Sequence, residues 1–176
     1  MHLVRIDTAA VAIFEEAMAL YAGSFPLYEQ RRLVEQKQVM GEAAYHFNLL
    51  YEAEVFIGLV LYWEHADFVY VEHFCTLPQV RNKGYGLKIL QELAKLNKTV
   101  ILEIDPPQDE MSIRRQHFYE RAGYCVNDFM HRHPPYRLGH KGHSLVVMSY
   151  PTKLSPESYM TFNNYLQDTV MLYAEK

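Results

Sequence analysis

Residues 99–104 read TVILEI, an almost wholly apolar run in which Glu103 is the only charged side chain. A strand of that kind is stable only when both faces of its sheet are covered. Helical segments flank it. Leu87, Leu90, Leu93 and Ala94 recur at helical spacing before it, and a second helix is predicted over about 111–122, stopped by Gly123. A buried strand between two helices predicts an α/β architecture, one mixed sheet with helices packed on it.

The rest of the chain fits that sheet. Residues 2–6 alternate like a short strand, and Asp7 or Thr8 can cap a helix to about Tyr21, with Ile13, Ala17, Leu20 and Tyr21 on one face. Gly23-Ser24 ends it, and Pro26 suits the first turn of a second helix reaching Met40-Gly41. Strands are predicted over 46–51 and 55–63, joined at Glu52-Ala53-Glu54, and over 68–77, 124–129 and 144–150. The loop before the last strand holds His131, His133, Pro134, Pro135, His140 and His143. A final helix starts at Ser155-Pro156 with Tyr159, Phe162, Leu166, Thr169 and Tyr173 as its buried stripe. The expected order is β-α-α-β-β-β-α-β-α-β-β-α, and 176 residues suit one domain.

Composition removes several classes. With 17 Lys+Arg against 21 Asp+Glu the chain is net acidic, which disfavours nucleic acid as a partner. Cys75 and Cys125 form no CxxC or zinc spacing. The apolar run 55–63 is too short to span a bilayer, and the N-terminus has no apolar signal core, so no membrane partner and a soluble, reducing, cytoplasmic setting are expected. The histidines at 131, 133, 140 and 143 lack a cysteine or paired carboxylate, so no metal is expected and their loop is read as lining a pocket.

The segment that carries chemistry is R-N-K-G-Y-G, between a strand and a helix. Gly84 and Gly86 allow a tight turn and close approach to a ligand. The free N–H groups of the following helix favour an anion. Residues 77–91 hold the basic Arg81, Lys83 and Lys88 and no acid, so a diphosphate would be well served. A P-loop would need GK[ST] and a dinucleotide fingerprint a glycine at 89, where Ile89 stands. An ordinary strand-to-helix turn is the other reading of a bare G-x-G.

R-x-x-G-x-G after a strand ending in a Pro-containing turn resembles the coenzyme A signature of the GNAT acetyltransferases. Phe118-Tyr119-Glu120-Arg121-Ala122-Gly123-Tyr124 is similar to the FYxxxGF stretch of that family, and the TVILEID strand lies between the two motifs at the expected distance. The resemblance spans about residues 2–150, with 151–176 as a C-terminal helical extension of a single domain. It implies a central mixed sheet with splayed middle strands, acetyl-CoA as cosubstrate, and acetyl transfer to a primary amine by direct attack. It implies that Phe74, Cys75 and Thr76 bond the pantetheine arm through their backbone. Arg81 and the turn Asn82, Lys83, Gly84, Tyr85, Gly86 and Leu87 would hold the pyrophosphate. Ser112 stands where many members carry an Asn that helps hold the coenzyme. The strands near Phe74 and Leu102 would part to leave a slot for the thioester.

Transfer to an amine needs a base for the ammonium proton and an acid for the departing thiolate. Tyr119 is the candidate acid; without the resemblance it reads as a core aromatic. Glu72, His73 and Glu103 are the candidate bases, Glu72 first and Glu103 second, and a water chain also serves. Alternation puts Glu72 and Phe74 on one face and His73 on the other. Burial would raise the Glu103 pKa, unless Arg114 or Arg115 pairs with it. Phe25, Glu29 and Tyr136 are the candidate acceptor contacts, and Glu64, Tyr62 and Trp63 are counted near the slot with them. These acids and aromatics favour a cationic acceptor, a small molecule or a peptide amine. A homodimer is left open. A catalytically idle acyl-CoA-binding or regulatory module on the same fold is the alternative.

Overall fold

The computed structural model describes residues 1–176. Strand β1 (His2–Ile6) leads to helices α1 (Phe14–Ser24) and α2 (Leu33–Val39), and these to the long strands β2 (Tyr45–Glu52), β3 (Val55–Glu64) and β4 (Phe68–Thr76). Next along the chain come α3 (Tyr85–Ala94), β5 (Thr99–Ile104), α4 (Glu110–Arg121), the short strands β6 (Cys125–Val126) and β7 (His131–His133), β8 (His143–Tyr150) and α5 (Pro156–Asp168). The sheet runs β1-β2-β3-β4-β5-β8-β6, with β7 also on β8. Only β4 and β5 pair in parallel, with α3 as their crossover. No helix is long and apolar enough to cross a membrane.

The sheet is buried on both faces, as the TVILEI strand demands. On one face α1 and α5 contribute Phe14, Ala17, Tyr21, Phe162 and Leu166 to a core with Leu59, Leu61 and Trp63. On the other, Ile89, Leu90 and Leu93 of α3 pack on Val100, Leu102 and Ile104. Along β5 the side chains therefore alternate, and Glu103 falls on the α1/α5 face beside Tyr70.

Several local expectations are corrected. The segment 131–133 is a strand, pairing His131 with Leu145 and His133 with His143. Its two histidines face inward and Arg132 outward, so its polarity hid the alternation. The strand predicted over 124–129 is confined to Cys125–Val126; just beyond it the Asn127 side-chain amide donates to Ser149 Oγ at 2.9 Å. Pro26 precedes a short 3-10 turn (Leu27–Glu29) and α2 starts only at Leu33. In α3, Ile89 takes the inward place expected of Leu87, which is exposed at 41%. At the C-terminus Val170 is buried in place of Thr169.

Two irregularities in β4 open a gap in the sheet and redirect its side chains. Its pairing with β5 runs from Phe68↔Thr99 to Val71↔Leu102 and then ends, although both strands continue. Beyond that point the two strands have no ladder between them. Against β3, Tyr62 faces Val71 while Leu61 faces His73, so Glu72 is an extra, bulged residue. The bulge overturns the simple alternation. Glu72 and His73 both lie on the α1/α5 side, where they meet Arg31 and Tyr21, whereas Phe74 packs on the α3 side.

Candidate active site

The turn after β4 is built to receive an anion. Asn82 (φ 62°) and Gly84 (φ 80°) take the left-handed conformation, which Asn tolerates and glycine adopts freely. Gly84 is the N-cap of α3 and supplies no side-chain cap, so the first N–H groups of the helix are left for a ligand. Gly86 cannot carry a side chain without moving a neighbour, since an added Cβ would lie 2.9 Å from Phe118 Cζ of α4.

A cavity of about 970 Å³ extends from this turn to the far side of the sheet. Arg81, Asn82, Gly84, Tyr85, Gly86 and Leu87 line its end at the turn. Phe74, Cys75, Thr76 and Tyr119 line it at the parted strands, and Phe25, Glu29, Glu72, Glu103 and Tyr136 at the opposite end. Arg114, Arg115 and Arg121 line it too, with Arg115 paired to Asp105 and Arg114 to Glu110. Lys83 and Ser112 do not line the cavity. Ser112 is consumed by the N-terminus of α4: it forms a capping box with Asp109, its N–H donating to Asp109 Oδ1 at 2.8 Å. Glu64, Tyr62 and Trp63 are also away from it. Glu64 sits at the other end of β3, where it accepts from Lys98 Nζ at 2.9 Å, and Tyr62 and Trp63 belong to the two cores.

The end opposite the turn rests on a buried polar network. Arg31 Nη2 lies 2.6 Å from Glu72 Oε1, both side chains fully buried, and Tyr136 donates its hydroxyl to the same oxygen at 2.5 Å. The guanidinium also stands over the Tyr136 ring at 4.7 Å. Burial alone would raise the Glu72 carboxyl, but the Arg31 charge, aided by His73, holds it far below the usual carboxylate range. Arg31 had no signal in the sequence. It is one of two adjacent arginines before a helix, and its partner is distant in the chain.

Glu103 is occupied differently from expectation. It accepts from His131 Nε2 and from the Tyr70 hydroxyl, while Arg115 pairs with Asp105 and Arg114 with Glu110. Burial pushes its pKa up, as anticipated, yet the neighbouring His133 and the His131 and Tyr70 bonds outweigh this and lower it. Tyr119 is the opposite case. Burial pushes its hydroxyl up to about 12 against the pull of Arg115, so it keeps its proton throughout the neutral range. Cys75 is pushed up to about 11 by burial and is no thiolate at pH 7.

Known proteins share the sequence family and the fold. The acetyltransferase (GNAT) domain family matches residues 43–126, from before β2 to the end of β6. An acetyltransferase assigned to the GNAT family from Bacteroides thetaiotaomicron has a solved structure that covers 100% of both chains at 30% identity, with a TM-score of 0.90. The chain belongs to the GNAT acetyltransferase family. YjbC of Bacillus subtilis (strain 168), itself assigned as an acetyltransferase, is 24% identical over 102 residues, 57% of this chain and 52% of that protein. The chain thus matches about half the length of that curated relative. An aminoglycoside 6′-N-acetyltransferase complexed with coenzyme A shares the fold, with a TM-score of 0.59 and 12% identity over 85% of this chain and 96% of that one.

Proposed function

We propose that this protein transfers the acetyl group of acetyl-CoA to a cationic primary amine by direct attack. The observation that carries this is the continuous cavity, which starts at an uncapped helix N-terminus, passes the gap between β4 and β5, and ends among carboxylates. A diphosphate is served by the turn from Arg81 to Leu87, and the unpaired edge of β4 at Phe74, Cys75 and Thr76 suits an extended arm bonded like an added strand. Protonated Cys75 offers no thiolate nucleophile, which favours attack by the acceptor itself on the thioester carbonyl. Tyr119 then has a proton to give the departing thiolate. Release of free thiol from acetyl-CoA, measured across a panel of amines, tests the reading. Coenzyme binding without release for any amine would instead support an idle binding module.

The acceptor end has Glu29 and Glu103 besides the Arg31-paired Glu72, and these carboxylates favour an ammonium. Among matched amines with and without an added carboxylate, the cationic member is expected to have the higher kcat/KM, with an advantage that shrinks as salt rises. Faster turnover of the anionic member would exclude a cationic acceptor.

Tyr119→Phe removes one hydroxyl and no packing surface. Coenzyme affinity should stay within about twofold while kcat falls by about 10- to 1000-fold, the size of a general-acid contribution. Unchanged single-turnover rates would take Tyr119 out of the reaction.

A further inference from the structure

Neither carboxylate proposed from sequence is well placed to take a proton. Glu72 is neutralised by Arg31, and Glu103 already accepts from His131 and Tyr70, so both hold a proton more weakly than a free carboxylate. His73 lines the cavity too, but its Nε2 lies 2.8 Å from the Glu29 carbonyl oxygen and must donate to it. Its other nitrogen, Nδ1, is buried without a hydrogen bond, 3.8 Å from Glu72 Oε2.

His133 is different. Its Nδ1 lies 2.5 Å from the Pro134 carbonyl oxygen, which can only accept, so in the neutral ring the hydrogen resides on Nδ1 and Nε2 keeps its lone pair. The Tyr136 hydroxyl approaches Nε2 at 3.3 Å, but its hydrogen is spent on Glu72 at 2.5 Å. Glu103 Oε2 stands 3.9 Å from Nε2, ready to meet a charged ring. We infer that His133 takes the ammonium proton of the acceptor at Nε2, with Glu103 as the positioning carboxylate that stabilises the resulting imidazolium. This rests on the acetyltransferase reading above.

The step balances. The ammonium gives one proton to Nε2 and becomes a neutral amine. Its lone pair forms the N–C bond to the thioester carbonyl, and the C–S bond then breaks. The nitrogen's surplus proton makes good the one that Tyr119 passes to the thiolate, so coenzyme A leaves as a thiol. The imidazolium returns its proton to water, giving amide, thiol and one released proton. Groups facing His133 from the packed elements are Glu103 on β5, Glu72 on β4, His143 on β8 and Tyr136 in the β7–β8 loop. Burial dominates over the pull of Glu103 and lowers the His133 pKa, which favours the neutral ring.

The test has one arm on the unaltered protein and one on variants. In ¹⁵N-correlated spectra of the parent, His133 should be the neutral Nδ1–H tautomer at pH 7; an Nε2–H tautomer or an imidazolium there overturns the proposal. With an amine found by the thiol-release panel, His133→Gln should lose about 100-fold in kcat/KM. Its coenzyme affinity by calorimetry should be unchanged, and the acid limb of the pH profile should vanish. Glu103→Gln should move that limb to lower pH, since the carboxylate favours the charged ring; a purely structural role would not move it. His133→Asn replaces the Gln variant if the latter does not fold. A His133 variant as fast as the parent, or a limb that persists in it, rejects His133 and leaves the acetyltransferase reading standing. A parent that acetylates no amine rejects that reading, and the base assignment with it.

Discussion

Gly86→Asp is expected to weaken coenzyme A binding by roughly 100-fold or more, because two like charges about 4–5 Å apart repel by about 3–4 kcal/mol at an effective dielectric near 20. The position is the second residue of α3, where the helix N–H groups are uncapped. An aspartate there would occupy those donors itself and would stabilise the helix while excluding the diphosphate. Its Cβ would also press on Phe118, 2.9 Å from the site of the missing side chain, and so disturb the α4 wall of the cavity. Folding should survive, as a thermal melt would show. Calorimetry with coenzyme A gives the result, and an affinity equal to the parent's would mean that the diphosphate lies elsewhere.

Arg31→Met should cost about 3–5 kcal/mol of stability, since it strands a fully buried carboxylate. For a chain of this size that is a fall of about 10 °C in melting temperature. The double variant Arg31→Met, Glu72→Gln should recover much of the loss, as neutral replacements of buried ion pairs often do. The dependence on pH has a definite sign. Glu72 has a folded-state pKa below its unfolded value, so its contribution is complete above the unfolded carboxylate pKa of about 4.3 and fades as pH falls below it. In Arg31→Met the stranded carboxyl titrates upward instead. The gap between parent and variant is therefore widest near neutral pH and narrows in acid. Urea titrations at several pH values measure it, and an equal gap throughout would mean that Arg31 acts by packing alone.

Much of the architecture was legible because it depends on local chemistry. Periodicity and the Gly123 stop place β5 and α4 almost residue for residue, and the apolar TVILEI run requires cover on both faces. The R-N-K-G-Y-G turn was readable for the same reason: an anion site at a helix N-terminus is made by backbone and glycines, which are contiguous in the chain. The end of the cavity away from that turn was not readable. Its geometry depends on a bulge at Glu72, and one extra residue in a strand leaves no mark on an alternating pattern. Its chemistry depends on contacts between distant segments. Arg31 and Glu72, Glu103 and His131, and His133 and Glu103 meet only when β4, β5, β7 and the segment before α2 are packed together. Position along the strands offered Glu72 and Glu103 as bases, whereas packing supplied an arginine to one and a histidine to the other. Periodicity and backbone conformation are local properties, so the layered α/β sheet and the anion-binding turn are written in the chain itself. Which titratable groups share a proton or a charge was settled by packing alone, because it depends on distances of a few ångströms between residues far apart in the chain.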